Sequence, residues 1–207
     1  LLNVIGGALG PLVTGYVLFE YLTLAQSFLF LAIVIYLTSL LTWFMFRSQI
    51  NQHLYPMLFA FLSASGIAGL AYESNIDPHA LVKEFSAVRG MPIVAVHEGR
   101  HGIITIAKHN YVGGATFEKT DHSVYGGNLY DGKVNVDLER NTNGLERPLA
   151  LNVLFPEAKR VLILGLSIGS WLTVVEGFPG VESIDVVEIN PGYLALAREV
   201  GPQKRAL

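Results

Sequence analysis

"KRVLILGLSIGSWLTVVEGFPGVESIDVVEINPGYLALAREV", residues 159–200, decides the fold. It reads as strand, turn, helix, strand, turn, helix. Val161 to Leu164 is a continuous aliphatic run of the kind that fills a parallel strand buried on both faces, and Ile184 to Glu188 is a second, ending in an acid. Gly165, Ser167, Gly169 and Ser170 occupy the turn after the first strand, at the carboxyl end where a doubly wound sheet takes its ligand. The dinucleotide fingerprint asks for GxGxxG, but here Ser167 stands in place of the middle glycine, which disfavours a pyrophosphate. Glu188 follows Gly165 by 23 residues, where a carboxylate can accept both hydroxyls of a ribose. Its structural alternative is a helix cap or a solvated loop residue. Asn190, before Pro191, suits the N-cap of the last helix.

The periodicity changes upstream of this unit. "GLERPLALNVLF" (144–155) offers a short apolar helix. "MPIVAVHEGRHGIITIAKH" (91–109) shows two alternating runs around Gly99, and "VYGGNLYDGKVNVDL" (124–138) two more around Asp131 and Gly132, where Asp-Gly signals a hairpin. A small antiparallel unit from about Pro92 to Leu138 is expected. His97, Glu98 and His101 spell HEGRH, the literal HExxH pattern of zinc proteases. That chemistry requires both imidazoles on one helical face, whereas this pattern crosses a glycine turn between β-like runs. No metal site is expected there, and His109 and His122 read as exposed or locally bonded. Further back, "ESNIDPHALVKEFSAVRG" (73–90) predicts an amphipathic helix capped by Asp77, with Pro78 at its first position and Leu81, Val82, Phe85 and Val88 on one face.

The first third is different in kind. Of 14 basic and 17 acidic residues, only Glu20 and Arg47 precede residue 73. Three apolar stretches, about 1–22, 28–46 and 54–72, each approach the ~20 residues a helix needs to cross ~30 Å of hydrocarbon. Gly6 with Gly10, and Ser65 with Gly69, have the small-residue spacing that lets helix backbones approach in lipid. The second and third cores carry no charge, so anchoring is expected rather than transport. The opening has neither a methionine nor a basic n-region, so a piece of a longer protein is expected. Arg47 and His53 between the second and third stretches weakly place that loop in the cytoplasm. A domain using a cytosolic nucleoside argues the opposite way, toward a cytoplasmic soluble part. Cysteine is absent, which removes disulfides and thiolate chemistry, and a net charge of −3 with scattered basic residues leaves no footprint for nucleic acid.

Residues 160–199 resemble the first βαβα unit of the spermidine synthase-like proteins, the polyamine aminopropyltransferases with an S-adenosylmethionine-type Rossmann fold. "FPGVESIDVVEINP" (178–191) is similar to the family's hPxVexvxxvEiDP, a hairpin unit directly precedes the sheet, and the apolar stretches resemble the membrane-embedded bacterial subgroup. The resemblance implies an α/β architecture: membrane helices over 1–75, a linker helix over 76–91, a β-hairpin domain over 92–145, and an incomplete Rossmann-like domain over 146–207. It implies aminopropyl transfer from decarboxylated S-adenosylmethionine to a small amine such as putrescine, in a protein of the bacterial inner membrane that forms homodimers and contacts the lipid bilayer. Gly165, Ser167 and Gly169 would then lie against the methylthioadenosine part and Glu188 would hold the ribose. Asp131 and Gly132 match the family's DGxxQ, which places Asn135 where a glutamine stands beside the aminopropyl end. The family's Tyr-His-Glu stretch is replaced by "NGLERPLAL" (143–151), in which Glu146 offers a carboxylate to an ammonium. The chain stops before a third strand, so no catalytic residue is assigned. Two other readings stay open: a methyltransferase using S-adenosylmethionine itself, and a non-catalytic protein whose Rossmann unit serves assembly or regulation.

Overall fold

The computed structural model describes residues 2–46, 54–87, 91–109 and 121–202. The chain divides into two compact units, Leu1–Phe85 and Ser86–Leu207.

In the first unit, α1 (Leu2–Val13) runs through a π-helical turn, Thr14–Leu18, into the short α2 (Phe19–Tyr21). The helix stops at Leu22, whose backbone is extended. The next helix, α3 (Leu24–Phe46), starts four residues before the expected 28. Thr23 and Gln26 explain the early start. The Thr23 N–H donates to Gln26 Oε1 at 3.0 Å and the Gln26 N–H to Thr23 Oγ1 at 3.4 Å, a reciprocal capping box that satisfies two orphan donors. Asn3–Tyr21 and Leu24–Met45 are long and apolar enough to cross a membrane by length and composition. Ile35, Leu41 and Phe44 are each more than half exposed on α3, and a helix apolar all round is suited to lipid rather than to water. The hydroxyls of Thr38, Ser39 and Thr42 donate to carbonyls of the preceding turn, so α3 satisfies these polar groups internally.

The third stretch forms α4 (Leu54–Ile76), which packs against α3. The glycines of the small-residue spacing mark no close contact with another element among the described residues. Among the described residues no atom lies within 4 Å of where a Cβ would stand on Gly6, Gly10 or Gly69. Helix α5 (Ala80–Ala87) is shorter than its expected 76–91, and residues 88–90 lie outside those described. Asp77 does open it, accepting the His79 N–H at 3.0 Å and Lys83 Nζ at 2.7 Å. The Lys83 hydrogen bond, then the His79 N–H, hold the Asp77 carboxyl below the usual range. The expected apolar face is split: Val82 is buried while Phe85 is 65% exposed.

In the second unit, β1 (Ile93–Gly99), β2 (Gly102–His109), β3 (Asp121–Gly126) and β4 (Leu129–Lys133) form one antiparallel sheet in sequence order. HEGRH lies along β1 and the Arg100–His101 turn, not on a helix. The second hairpin departs from expectation. Its turn is Gly127–Asn128, both at positive φ (54° and 66°), which is what a two-residue type I′ turn requires. Asp131 and Gly132 instead sit inside β4. Tyr125 pairs with Tyr130 and Val124 with Gly132, so Asp131 is the extra residue of a β-bulge.

Helix α6 (Glu146–Leu154) then leads to β5 (Arg160–Leu164), α7 (Ser170–Glu176), β6 (Ser183–Val187) and α8 (Pro191–Val200). The pair β5–β6 is parallel, with Leu162 opposite Asp185. Only one face of this pair is covered: Ile163, Ile184 and Val186 pack on the core, while Leu162, Leu164 and Val187 are 61%, 76% and 54% exposed. The aliphatic run is therefore not buried on both faces among the described residues. A shared core joins the two sheets, with Ile104, Ile106 and Val124 meeting Ile168, Leu172 and Leu196. Burial of such side chains stabilises by roughly 1.5–3 kcal/mol each, and it seats the β4 bulge beside the β5–α7 turn.

Candidate functional site

The β5–α7 turn is built from backbone conformations that side chains rarely tolerate. Gly165 and Gly169 have φ of 88° and 81°, and Ser167 has φ of 47°. The turn curls back at the carboxyl end of β5, leaving open space where a Cβ of Gly165 would stand. Two serines tie it to the antiparallel sheet. Ser167 Oγ donates to the Asp131 carbonyl at 3.1 Å and Ser170 Oγ to the Lys133 carbonyl at 2.6 Å. These are the residues that depart from the glycine fingerprint, and each replaces conformational freedom with an anchor across to β4.

Glu188, just past β6, closes the neighbouring loop. Its Oε2 accepts the Leu166 N–H and its Oε1 the Asn190 N–H, both at 2.7 Å. The carboxylate thus holds together the loops at the ends of both parallel strands. Distances this short are those of charge-assisted hydrogen bonds. Asn190 caps α8 as expected, its Oδ1 accepting the Gly192 N–H at 3.0 Å, with Pro191 next in the chain. Gly192 is demanded by packing. A Cβ there would fall 2.1 Å from the His97 ring, so His97 of the zinc-like pattern lies against the first turn of α8.

These elements border a cavity of about 880 Å³. That volume lies in the range of small-molecule sites. Asp131, Gly165, Ser167 and Glu188 line it, four of the seven residues singled out from the sequence. Gly169, Asn135 and Glu146 are not among its lining. Gly169 is the N-cap of α7. Asn135 organises its own loop: Nδ2 donates to the Arg140 carbonyl at 2.7 Å and to Thr142 Oγ1 at 2.9 Å, and Oδ1 accepts the Asp137 N–H at 2.8 Å. Glu146 is held by the Asn141 side chain, and its carboxyl is lowered first by a backbone hydrogen bond at the start of α6 and then by that amide. Its neighbour Arg147 lines the cavity instead.

Sequence reasoning passed over Asn143, Arg147, Trp171 and Tyr193, all of which line the cavity. Asn143 acts as a surrogate strand partner for β4. Its Oδ1 accepts the Lys133 N–H at 2.9 Å and its Nδ2 donates to the Lys133 carbonyl at 2.7 Å. Trp171 Nε1 donates to the Asn143 carbonyl at 3.2 Å. Lys133, although on the lining, sits 3.4 Å from Asp121 with both side chains largely buried, so its charge is partnered.

The residues fit a nucleoside in one testable respect. A carboxylate has about four lone-pair positions, and Glu188 spends one per oxygen on the two backbone N–H groups. Among the described residues, that leaves one position per oxygen for a diol. The Ser167 hydroxyl has donated its only proton to Asp131 and can only accept. Comparison with protein-family models and with curated proteins finds no match for the chain.

Proposed function

We propose that the chain is a membrane-anchored, spermidine synthase-like protein that transfers an aminopropyl group from decarboxylated S-adenosylmethionine to an amine. In this reading β5–α7–β6–α8 is the opening of a doubly wound Rossmann-like sheet. The first two apolar helical stretches hold the protein in a bilayer, with the soluble unit on the cytoplasmic side. The observation that carries the reading is the convergence of Glu188, Gly165 and Asp131 on one cavity at the carboxyl ends of two parallel strands. Glu188 would take the ribose hydroxyls with its spare lone pairs. Asp131, which lines the same cavity, would hold an ammonium of the acceptor amine.

The chemistry needs little more than positioning. A neutral amine nitrogen attacks the methylene carbon bonded to the sulfonium; the C–N bond forms, the C–S bond breaks, sulfur keeps the bonding pair, and the new ammonium loses one proton. A positively charged sulfur already makes that carbon electrophilic, so orientation supplies most of the rate. The test is calorimetry on the full chain in nanodiscs with decarboxylated S-adenosylmethionine and with S-adenosylmethionine, followed by detection of methylthioadenosine when putrescine is added. Tighter binding of the decarboxylated form, with release of methylthioadenosine, is expected.

One observation favours the methyltransferase reading instead. Arg147 lines the cavity, and a guanidinium matches the carboxylate that only the full cofactor carries. Preference for S-adenosylmethionine that is lost in Arg147→Gln would replace the first reading with this one.

A further inference from the structure

Hydrogen bonds leave the β5–α7 turn in sequence order. The Leu166 N–H reaches Glu188, Ser167 Oγ the Asp131 carbonyl, Ser170 Oγ the Lys133 carbonyl, and Trp171 Nε1 the Asn143 carbonyl at 3.2 Å. Trp171 thus closes the series that Glu188 opens. Its neighbours Ser170 and Leu172 are 4% and 7% exposed, whereas Trp171 keeps 41% of its surface open and lines the cavity. An indole has a single polar group, the Nε1–H donor. With that donor committed to Asn143, only the ring itself is left to meet a ligand. The Asn143 side chain is in turn clamped to both backbone groups of Lys133, at 2.9 and 2.7 Å. The indole is therefore anchored at its polar edge, through Asn143, to the strand that carries Asp131.

The charges around the cavity select what the ring can meet. Among the described residues its lining carries the carboxylates of Asp131 and Glu188 and the guanidinium of Arg147, while the Lys133 ammonium lies 3.4 Å from Asp121. A cation is drawn both to a carboxylate and to the face of an aromatic ring, and tryptophan offers the strongest such face. We propose that Trp171 is a substrate-binding residue whose indole face takes an alkylammonium group of the acceptor amine. The proposal rests on the reading given under Proposed function, in which Glu188 holds a ribose and the acceptor is an amine. A ligand that starts at Glu188 and follows the order of contacts along the turn passes Asp131 and reaches Trp171 last. Asp131 supplies the charge and Trp171 the face; an indole ring has no basic oxygen, so it attracts the cation without taking its proton.

The experiment uses the full chain in detergent micelles, with putrescine and methylthioadenosine as calorimetric probes. Monofluoro-, difluoro- and trifluorotryptophan are placed at position 171 alone, and Trp171→Leu is made beside them. Fluorine withdraws electron density from the ring face yet keeps the shape of the ring and its N–H. Putrescine binding is expected to weaken stepwise with each added fluorine, and by about tenfold in Trp171→Leu, within the range of a cation–ring contact. Affinity for methylthioadenosine, which carries no cation, should change less than twofold throughout. Putrescine affinity that stays flat across the fluorinated series overturns the proposal and leaves the amine reading standing. Methylthioadenosine affinity that falls together with that of putrescine also overturns it, since the ring then stacks on the purine. Wild type that binds methylthioadenosine but not putrescine refutes the amine reading itself, and the proposal with it. If Trp171→Leu does not fold, the fluorinated series, which keeps the N–H to Asn143, carries the test.

Discussion

Replacing Glu188 by alanine separates two roles that one carboxylate combines. In the protein alone, Glu188 accepts the N–H groups of Leu166 and Asn190 at 2.7 Å each. A hydrogen bond to a charged group contributes about 1.5–3 kcal/mol net. Glu188 is only partly buried, so water replaces part of what is lost and about 1 kcal/mol per amide is the reasonable scale. Glu188→Ala should therefore speed local hydrogen exchange at Leu166 and Asn190 about fivefold each, and lower global stability by about 2 kcal/mol. Glu188→Gln keeps one carbonyl oxygen but turns an amide donor toward the second N–H, so one of the two amides should remain protected. Amide-resolved hydrogen exchange on the full chain measures both variants without any ligand.

Nucleoside affinity supplies the second axis. If the spare lone pairs hold a ribose, methylthioadenosine binding should fall at least tenfold in Glu188→Ala, and Glu188→Gln should fall between that variant and wild type. Faster exchange at both amides with unchanged nucleoside affinity would show that Glu188 only joins two loops. Unchanged exchange at Leu166 and Asn190 would refute the reasoning from the two short hydrogen bonds.

Other perturbations follow from individual contacts. Asn190→Ala leaves the Gly192 N–H without its cap, which should cost about 1 kcal/mol and lower the thermal midpoint of the second unit, while Asn190→Asp should retain most of it. Ser170→Ala removes a 2.6 Å hydrogen bond to the Lys133 carbonyl; a loss of about 1 kcal/mol is expected, read by denaturant unfolding of the full chain. Asp77, held below its ordinary value of 3.8 chiefly by Lys83, should stabilise α5 fully above that value and progressively less as pH falls through its folded value. It is only partly buried, so the effect should stay under about 1 kcal/mol, and the thermal midpoints of wild type and Asp77→Asn should converge once the pH has fallen below that folded value.

Period and punctuation in the sequence were enough to place β1, β2, β5, β6 and the cap of α8. In each case the signal is local: alternation for the hairpin, an aliphatic run for the parallel pair, Asn before Pro for the helix start. The second hairpin was misread because two turn signals compete within six residues. Gly127-Asn128 and Asp131-Gly132 both suit a turn, and only strand register, with Gly126 facing Leu129, assigns the turn to the first pair. The start of α3 was missed for a different reason. Hydropathy weighs Thr23 and Gln26 as polar, whereas paired across three residues they form the cap. Of the site, Glu188 and Gly165 were readable because their positions follow from strand ends. Tyr193 was not, since a tyrosine on an amphipathic helix reads as core until Gly126 is seen to make room for its hydroxyl.

The same misreading bears on the chemistry. Asp131-Gly132 taken as a turn would put the carboxylate at a loop tip, where its direction is loosely set. Placed in a bulge within β4, the carboxylate is directed by the sheet, and the backbone from Asp131 to Lys133 is held by serines of the β5–α7 turn. Ser167 bonds the carbonyl of Asp131 itself and Ser170 that of Lys133. The β5–α7 turn is therefore tied to Asp131 by the hydrogen bond from Ser167. Glu188 fixes the same turn through Leu166. The two acids of the cavity are thus joined by one short segment, Leu166–Ser167, and substitutions at either acid are expected to couple rather than add. A double-mutant cycle on Glu188→Gln and Asp131→Asn, read by the thermal midpoint, should show a coupling of about 0.5 kcal/mol or more; strict additivity would show that the turn does not link the two acids.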